Sequence, residues 1–254
     1  MSIVARRPNV GVPSRRLPRA AALALLLAVG GAAGACDDTS FRTFGIASPA
    51  LAVVSSDYTT ASVSLFDPST GRLVDGCVTS RSMLKQAVSG DVALPSQAQS
   101  SGELAVIDSG SSVLTFVAPA TCAVRGQLSV STGGFKAYPH DIVTVAPNKA
   151  YVTRNNKNLA ATPDPSDFDE GDDILIVDPK QLTVIGRIPL GDYATPGSAP
   201  DSTPTQARPD RAILVGGLVY VSLNSLSQDF ATVGMGRVVI IDPASDAEIG
   251  RAHV

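Results

Sequence analysis

DILIVDPKQLTVIGRIPL, residues 173–190, divides into strand, tight turn and strand. Four apolar residues, Ile174 to Val177, run into Asp178-Pro179-Lys180-Gln181, and alternation resumes through Val184, Ile185, Arg187 and Ile188. Pro179 fixes its own φ, and Asp178 can accept hydrogen bonds from the backbone ahead of it, so the pair ends one strand and reverses the chain. A lone hairpin is marginal in water and needs sheet neighbours. The chain supplies related copies. Ser64-Leu65-Phe66-Asp67-Pro68 is followed by Gly71-Arg72-Leu73-Val74, Leu114 to Pro119 by Cys122 to Gly126, and a last copy is Val238-Val239-Ile240-Ile241-Asp242-Pro243.

Each hairpin follows a further pair of short apolar segments. The second segments are 51–55, 104–108, 151–155 and 220–224; the first are 91–94, 141–145 and 210–214, and none is clear before Leu51. No amphipathic helical period occurs from Ala50 onward. Four strands per unit, repeated around an axis, is the plan of a β-propeller, so the sequence predicts an all-β propeller of about four blades over 50–247.

Tyr151-Val152-Thr153-Arg154-Asn155, followed by ILIVDPKQLTVIGRIPLG, resembles the YVTN-type β-propeller repeat of surface and periplasmic proteins. Tyr220-Val221-Ser222-Leu223-Asn224 followed by VVIIDP is similar to it, and the first two units are blurred versions. The resemblance implies a scaffold, not an activity.

The turn positions 67, 118, 178 and 242 are 51, 60 and 64 residues apart. A blade needs about 40–45 residues, so the excess is insertion. The long segments are 79–90, 157–172, 191–209 and 225–236, whereas Pro147-Asn148-Lys149, Gly216-Gly217 and Asp178 to Gln181 are minimal turns. Long segments join second to third strands or one blade to the next, and both classes emerge on one face. Insertions gathered on one face of a repeat protein mark its working face.

The chain opens with an address. Residues 1–19 carry five Arg and no acid, Ala20 to Val29 is apolar, and small residues lead to Cys36. That order is a secretory signal, and the 16-residue apolar run to Ala35 is short for a spanning helix of about 20. Ala33-Gly34-Ala35-Cys36 resembles the lipobox of bacterial lipoproteins, with Ala33 in place of the usual Leu. The resemblance implies a signal peptide over 1–35, lipidation of Cys36, a tether over 36–49 and a membrane-anchored protein of the bacterial cell envelope, facing the periplasm or the exterior. With Cys36 so used, Cys77 and Cys122 remain as candidates for a disulfide between consecutive repeats, or as two small buried residues. Glu248 to Val254, EIGRAHV, matches the translation of a common sequencing adapter. Residues 248–254, His253 among them, are therefore expected to be a non-native tail, with the native chain continuing into further blades.

Loss of residues 1–35 removes five Arg and no acid and takes the formal net charge from −3 to −8. No basic patch remains to meet nucleic acid, and the absence of Trp argues against a stacking platform. His140, next to Asp141 at the entry of an inner strand, is then the only native histidine, too few for a multi-imidazole metal site. Asp91, Asp141 and Asp210 all open inner strands; they could ring the channel mouth and hold Ca²⁺, or each could cap its own turn. The acidic run 164–173 lacks the EF-hand spacing and reads as a solvated loop. No catalytic fingerprint occurs, so no catalytic residue and no cofactor is assigned. The function expected is non-catalytic binding of a protein, peptide or envelope polymer through the loop face, with the lipid in the membrane. The alternative is a lactonase- or quinoprotein-type propeller enzyme with a metal-dependent channel site.

Overall fold

The computed structural model describes residues 51–131, 134–162, 168–194 and 204–253. The signal segment, Cys36 and the tether lie outside them, as do 163–167 and 195–203 of two long loops. Among the described residues no helix is long and apolar enough to cross a membrane. The sole helical turn there is the 3₁₀ segment Gly191–Tyr193.

Among the described residues, fifteen strands form four antiparallel sheets in chain order. The first sheet holds β1 (Leu51–Ser56), β2 (Ala61–Asp67) and β3 (Arg72–Thr79). The second holds β4 (Val92–Ala93), β5 (Leu104–Asp108), β6 (Val113–Ala118) and β7 (Ala123–Ser129). The third holds β8 (Pro139–Ala146), β9 (Lys149–Lys157), β10 (Gly171–Asp178) and β11 (Thr183–Pro189). The fourth holds β12 (Pro209–Val215), β13 (Leu218–Leu223), β14 (Arg237–Asp242) and β15 (Ala247–His253). These are four blades of a β-propeller, and among the described residues the first has three strands and the others four. Inner strands β8 and β12 approach one another, and β1 approaches β4.

The repeat is built by the hairpin chemistry expected from its turns. Asp178 Oδ1 accepts the N–H groups of Lys180 and Gln181 at 2.8 and 3.0 Å, Asp67 Oδ1 that of Ser69 at 2.8 Å, and Asp242 Oδ1 that of Ala244 at 2.9 Å. The next strand is entered through a left-handed residue in every blade: Gly71, Cys122, Leu182 and Asp246, with φ of 71°, 56°, 56° and 55°. A bulge then resets the register between Phe116 and Val117, Ile176 and Val177, and Ile240 and Ile241. Past it Gly126, Gly186 and Gly250 each face a large residue: Phe116, Ile176 and Ile240. Gly250 thus falls in the repeat register, and Glu248 and residues 250–253, in the stretch expected as a tail, pair with β14.

Three apolar clusters, one per seam, hold the blades together. Ile174 and Ile176 point into the cluster shared with the fourth blade; Leu175 and Val177 point into the one shared with the second. That is why the run is apolar throughout and not alternating: both faces of a middle strand are covered. The seam between the first two blades is the smallest, built on Ala61, Val63, Val78, Val88, Val106 and Val117. Cys77 and Cys122 are disulfide-bonded across it.

The left-handed turn residue meets the preceding blade differently at each seam. Cys122 bonds covalently to Cys77. Leu182 lies so close to Gly126 that a Cβ there would stand 2.4 Å from its Cδ1. Asp246 takes Lys149 Nζ at 2.9 Å and the hydroxyl of buried Tyr151, whose pKa is raised by burial first and by that carboxylate second.

Candidate binding face and channel mouth

The strand ends define two faces. Connections within hairpins (68–71, 119–122, 179–182, 243–246) and between first and second strands emerge on one, here the turn face. Second-to-third and blade-to-blade connections emerge on the other, the loop face. The turn face is not uniformly minimal: β4 and β5 are joined by 94–103, a connection missed in the sequence because β4 keeps only two residues. This segment runs along the inner strands of the next two blades. Gln97 Nε2 donates to the carbonyl of Leu214 at 3.2 Å while its Oε1 accepts the Leu214 N–H at 3.0 Å, so the side chain copies a strand partner along β12. Gln99 reaches β8, donating to the Ile142 carbonyl at 3.2 Å and accepting from the Thr144 hydroxyl.

Asp91, Asp141 and Asp210 do not converge. Asp141 is fully buried and spends its carboxylate on backbone donors, with Ser96 and Ile142 at Oδ1 and Ala212 at Oδ2, each 2.9 Å away. It binds three blades through main-chain groups. Asp210 Oδ1 lies 2.7 Å from His140 Nδ1, and this hydrogen bond is the largest cause that lowers the Asp210 pKa. Asp91 accepts a hydrogen bond from the Tyr138 hydroxyl, which together with burial pushes the phenol up to about 12. Tyr138 and His140 stand with ring centroids 5.6 Å apart. The four side chains therefore form a row over the inner ends of the second, third and fourth blades. Among the described residues no three His, Cys, Asp or Glu side chains gather as a metal would need.

The acidic run is also less solvated than expected. Asp169, Asp172 and Asp173 are buried. Asp173 forms a two-pronged pair with buried Arg154 (Nε–Oδ1 2.7 Å, Nη2–Oδ2 2.6 Å). Asp172 accepts the N–H groups of Arg208 and Ala207; burial raises its pKa and those two bonds oppose the rise. Arg208 has no exposed surface. Asn155 Oδ1, Asn156 Oδ1 and the carbonyls of Ser227 and Gln228 hold its guanidinium, and the Phe230 ring covers it at 4.2 Å. Neither buried arginine was singled out in the sequence, where Arg154 was one letter of a strand pattern and Arg208 lay inside a loop.

Arg208 is the floor of the 225–236 loop. Ser227 N–H donates to the Thr232 carbonyl, Gly234 N–H to the Ser225 carbonyl and Thr232 N–H to Ser227 Oγ, and Asp229 closes the tip through Ser227 Oγ and the Ala231 N–H. The result is a small ordered hairpin with Phe230, Val233 and Met235 exposed. Tyr58, Met83 and Leu159 are exposed on neighbouring connections of the same face. Among the described residues, the other exposed large apolar side chains lie on strands and none lies in a turn-face connection.

No family model matches the chain, and no curated protein matches it. Solved structures do. The chain is similar to hydrazine synthase of Kuenenia stuttgartiensis, at 14% identity and a TM-score of 0.50 over 76% of this chain and 43% of that one. It is also similar to BamB from Moraxella catarrhalis, at 9% identity and 0.44 over 81% and 50%. The Dos1 propeller matches at 11% identity and 0.43 over 80% and 45%. The chain spans half or less of each of these three, and at such identities the likeness concerns the fold alone.

Proposed function

We propose that the chain is an envelope-held propeller that binds a protein, peptide or polymer through its loop face, without catalysis, while a lipid on Cys36 holds it to a membrane. One observation carries this reading: every exposed large apolar side chain in a described connection sits on that one face. A solvated face with no partner has no reason to concentrate such groups, whereas rigid apolar anchors within polar surroundings are what binding patches use. The ordered 225–236 hairpin adds pre-organisation, which lowers the entropy cost of association. The channel offers less, because Gln97 and Gln99 already cover the inner edges of β12 and β8.

Capture from envelope extracts by the native protein, Val233→Ser/Met235→Ser and Met83→Ser/Leu159→Ser, all four positions being exposed, tests it. Specific capture lost in both variants, at an unchanged melting temperature, is expected; equal capture by all three overturns the working-face assignment. Cys36→Ser should release the protein from membranes and abolish labelling by a fatty-acid analogue, and unlabelled native protein would remove the anchor from the proposal.

A further inference from the structure

Two of the three seams hold a cation against the hairpin turn of the following blade. Between the third and fourth blades, Lys149 Nζ donates to the Pro243 carbonyl at 2.7 Å and pairs with Asp246. Between the second and third, Arg125 Nη2 donates to the Pro179 carbonyl at 2.8 Å and pairs with Glu103, its guanidinium 5.1 Å from the centre of the Phe116 ring. An aromatic ring accompanies the cation in both places: Tyr151, which shares Asp246 with Lys149, and Phe116.

The seam between the first two blades presents the same turn without the cation. Pro119 corresponds to Pro179 and Pro243, because Val117, Val177 and Ile241 stand two residues before these prolines and pair with Leu104, Ala150 and Val219. By the same register Leu51, paired with Phe66 ahead of Asp67-Pro68, is equivalent to Ala150, so Ala52 stands where Tyr151 does. Counted from the turns, Val74 stands where Arg125 does, and in the sequence Ala50 precedes Leu51 as Lys149 precedes Ala150. No hydrogen bond to the Pro119 carbonyl occurs among the described residues. A cleft of about 580 Å³ opens at this seam, walled by Ala52, Leu65, Leu94, Leu104 and Pro119, and Glu103 also lines it. That volume and those mostly apolar walls suit a small organic ligand. The Glu103 carboxylate is paired with Arg125 yet keeps lone pairs for a further donor. Where the repeat has lost both ring and cation but kept their acceptor, the space has the combined chemistry of the two.

We propose that the cleft between the first two blades binds a primary amine on an apolar stem, with the stem against Leu65 and Leu104 and the ammonium donating to the Pro119 carbonyl beside Glu103. The ligand takes the place that Lys149 and Tyr151 hold between the third and fourth blades, and ties together the two blades that Cys77 and Cys122 also bridge. The site lies at the turn face and is independent of lipidation and of what the loop face binds.

Calorimetric titration of the full chain with phenethylamine and with phenethyl alcohol, its neutral counterpart, tests this. The amine should bind at least about tenfold tighter, which is what a hydrogen bond from a charged donor contributes. Ala52→Tyr, which restores the ring of the later seam, should abolish binding at an unchanged melting temperature. Nα-acetyl-lysine amide separates a free amine from a peptide side chain as the source, and whichever of the two amines binds tighter names it. Equal affinity for amine and alcohol overturns the proposal, as does the lack of saturable heat from either amine at millimolar concentration, or unchanged binding by folded Ala52→Tyr. Should that variant not fold, ligand-induced shifts of the native amide signals locate the site: shifts centred on 51–65 and 94–120 support it, and shifts elsewhere overturn it.

Discussion

Cys77, in the outer strand of the first blade, is bonded to Cys122, the left-handed turn residue of the second, with Cα atoms 5.1 Å apart. The bond closes a sequence separation of 45 residues over the seam with the fewest buried apolar groups. Chain-entropy arguments assign a loop of that length about 4 kcal/mol. Reduction, or Cys77→Ser with Cys122→Ser, should therefore lower the denaturant midpoint markedly, with the first blade lost before the others. Amide exchange resolved by blade checks the order.

Acid should act at the channel mouth. The Asp210 pKa in the folded protein is lowered, chiefly by the His140 hydrogen bond. Its contribution is present above the unfolded value near 3.8 and is lost as pH falls through the lower folded value. Asp210→Asn should flatten the acid side of the stability profile below about pH 4, and His140→Gln should do so partly. Denaturant melts between pH 2 and pH 7 read this directly.

Arg154 and Asp173 are both without exposed surface and pair with each other, and Arg187 Nε lies 3.5 Å from Asp173 Oδ2 as well. Removing Asp173 leaves Arg154 buried without that counter-charge, at a cost of about 3–5 kcal/mol, whereas removing Arg154 leaves Asp173 with Arg187. Asp173→Asn should destabilise on that scale and Arg154→Met by less, while the double variant should recover part of the loss. A double-mutant cycle by urea unfolding measures the coupling.

Gly171 has φ of 64°, and a Cβ there would stand 2.1 Å from the Asn156 carbonyl oxygen. The obstacle is backbone and cannot swing aside. Gly171→Ala should cost at least about 1–3 kcal/mol from strain alone, whereas Gly216→Ala, with nothing within 4 Å, should pay only for its left-handed φ of 59°. Thermal melts of the two variants separate clash from conformation.

The hairpins were legible because the same short-range chemistry recurs: an Asp that caps, a Pro that fixes φ, and an apolar run covered on both faces. The disulfide pairing was legible as one of two readings, because both cysteines fall near the outer strands of consecutive repeats. The two readings of the channel-mouth aspartates could not be separated in the sequence, for a physical reason. Asp91, Asp141 and Asp210 look alike in sequence, yet they take different partners once Ser96, Tyr138 and His140 arrive from other segments, and only tertiary structure brings those partners. Gln97 and Gln99 were invisible on the same grounds: nothing local says that an amide side chain will bond to a strand more than 40 residues away.

The left-handed turn residue touches the neighbouring blade through a covalent bond, an aliphatic contact or an ionic cluster, depending on the seam. Each responds to a different solvent variable. Reductant loosens the first seam, salt and extremes of pH act on the third, and the middle one responds mainly to temperature and chaotrope. A row of blades whose joints share one geometry can therefore be loosened at a chosen joint by choosing the medium, which makes this chain a ruler for how far the loss of one blade contact propagates to the next.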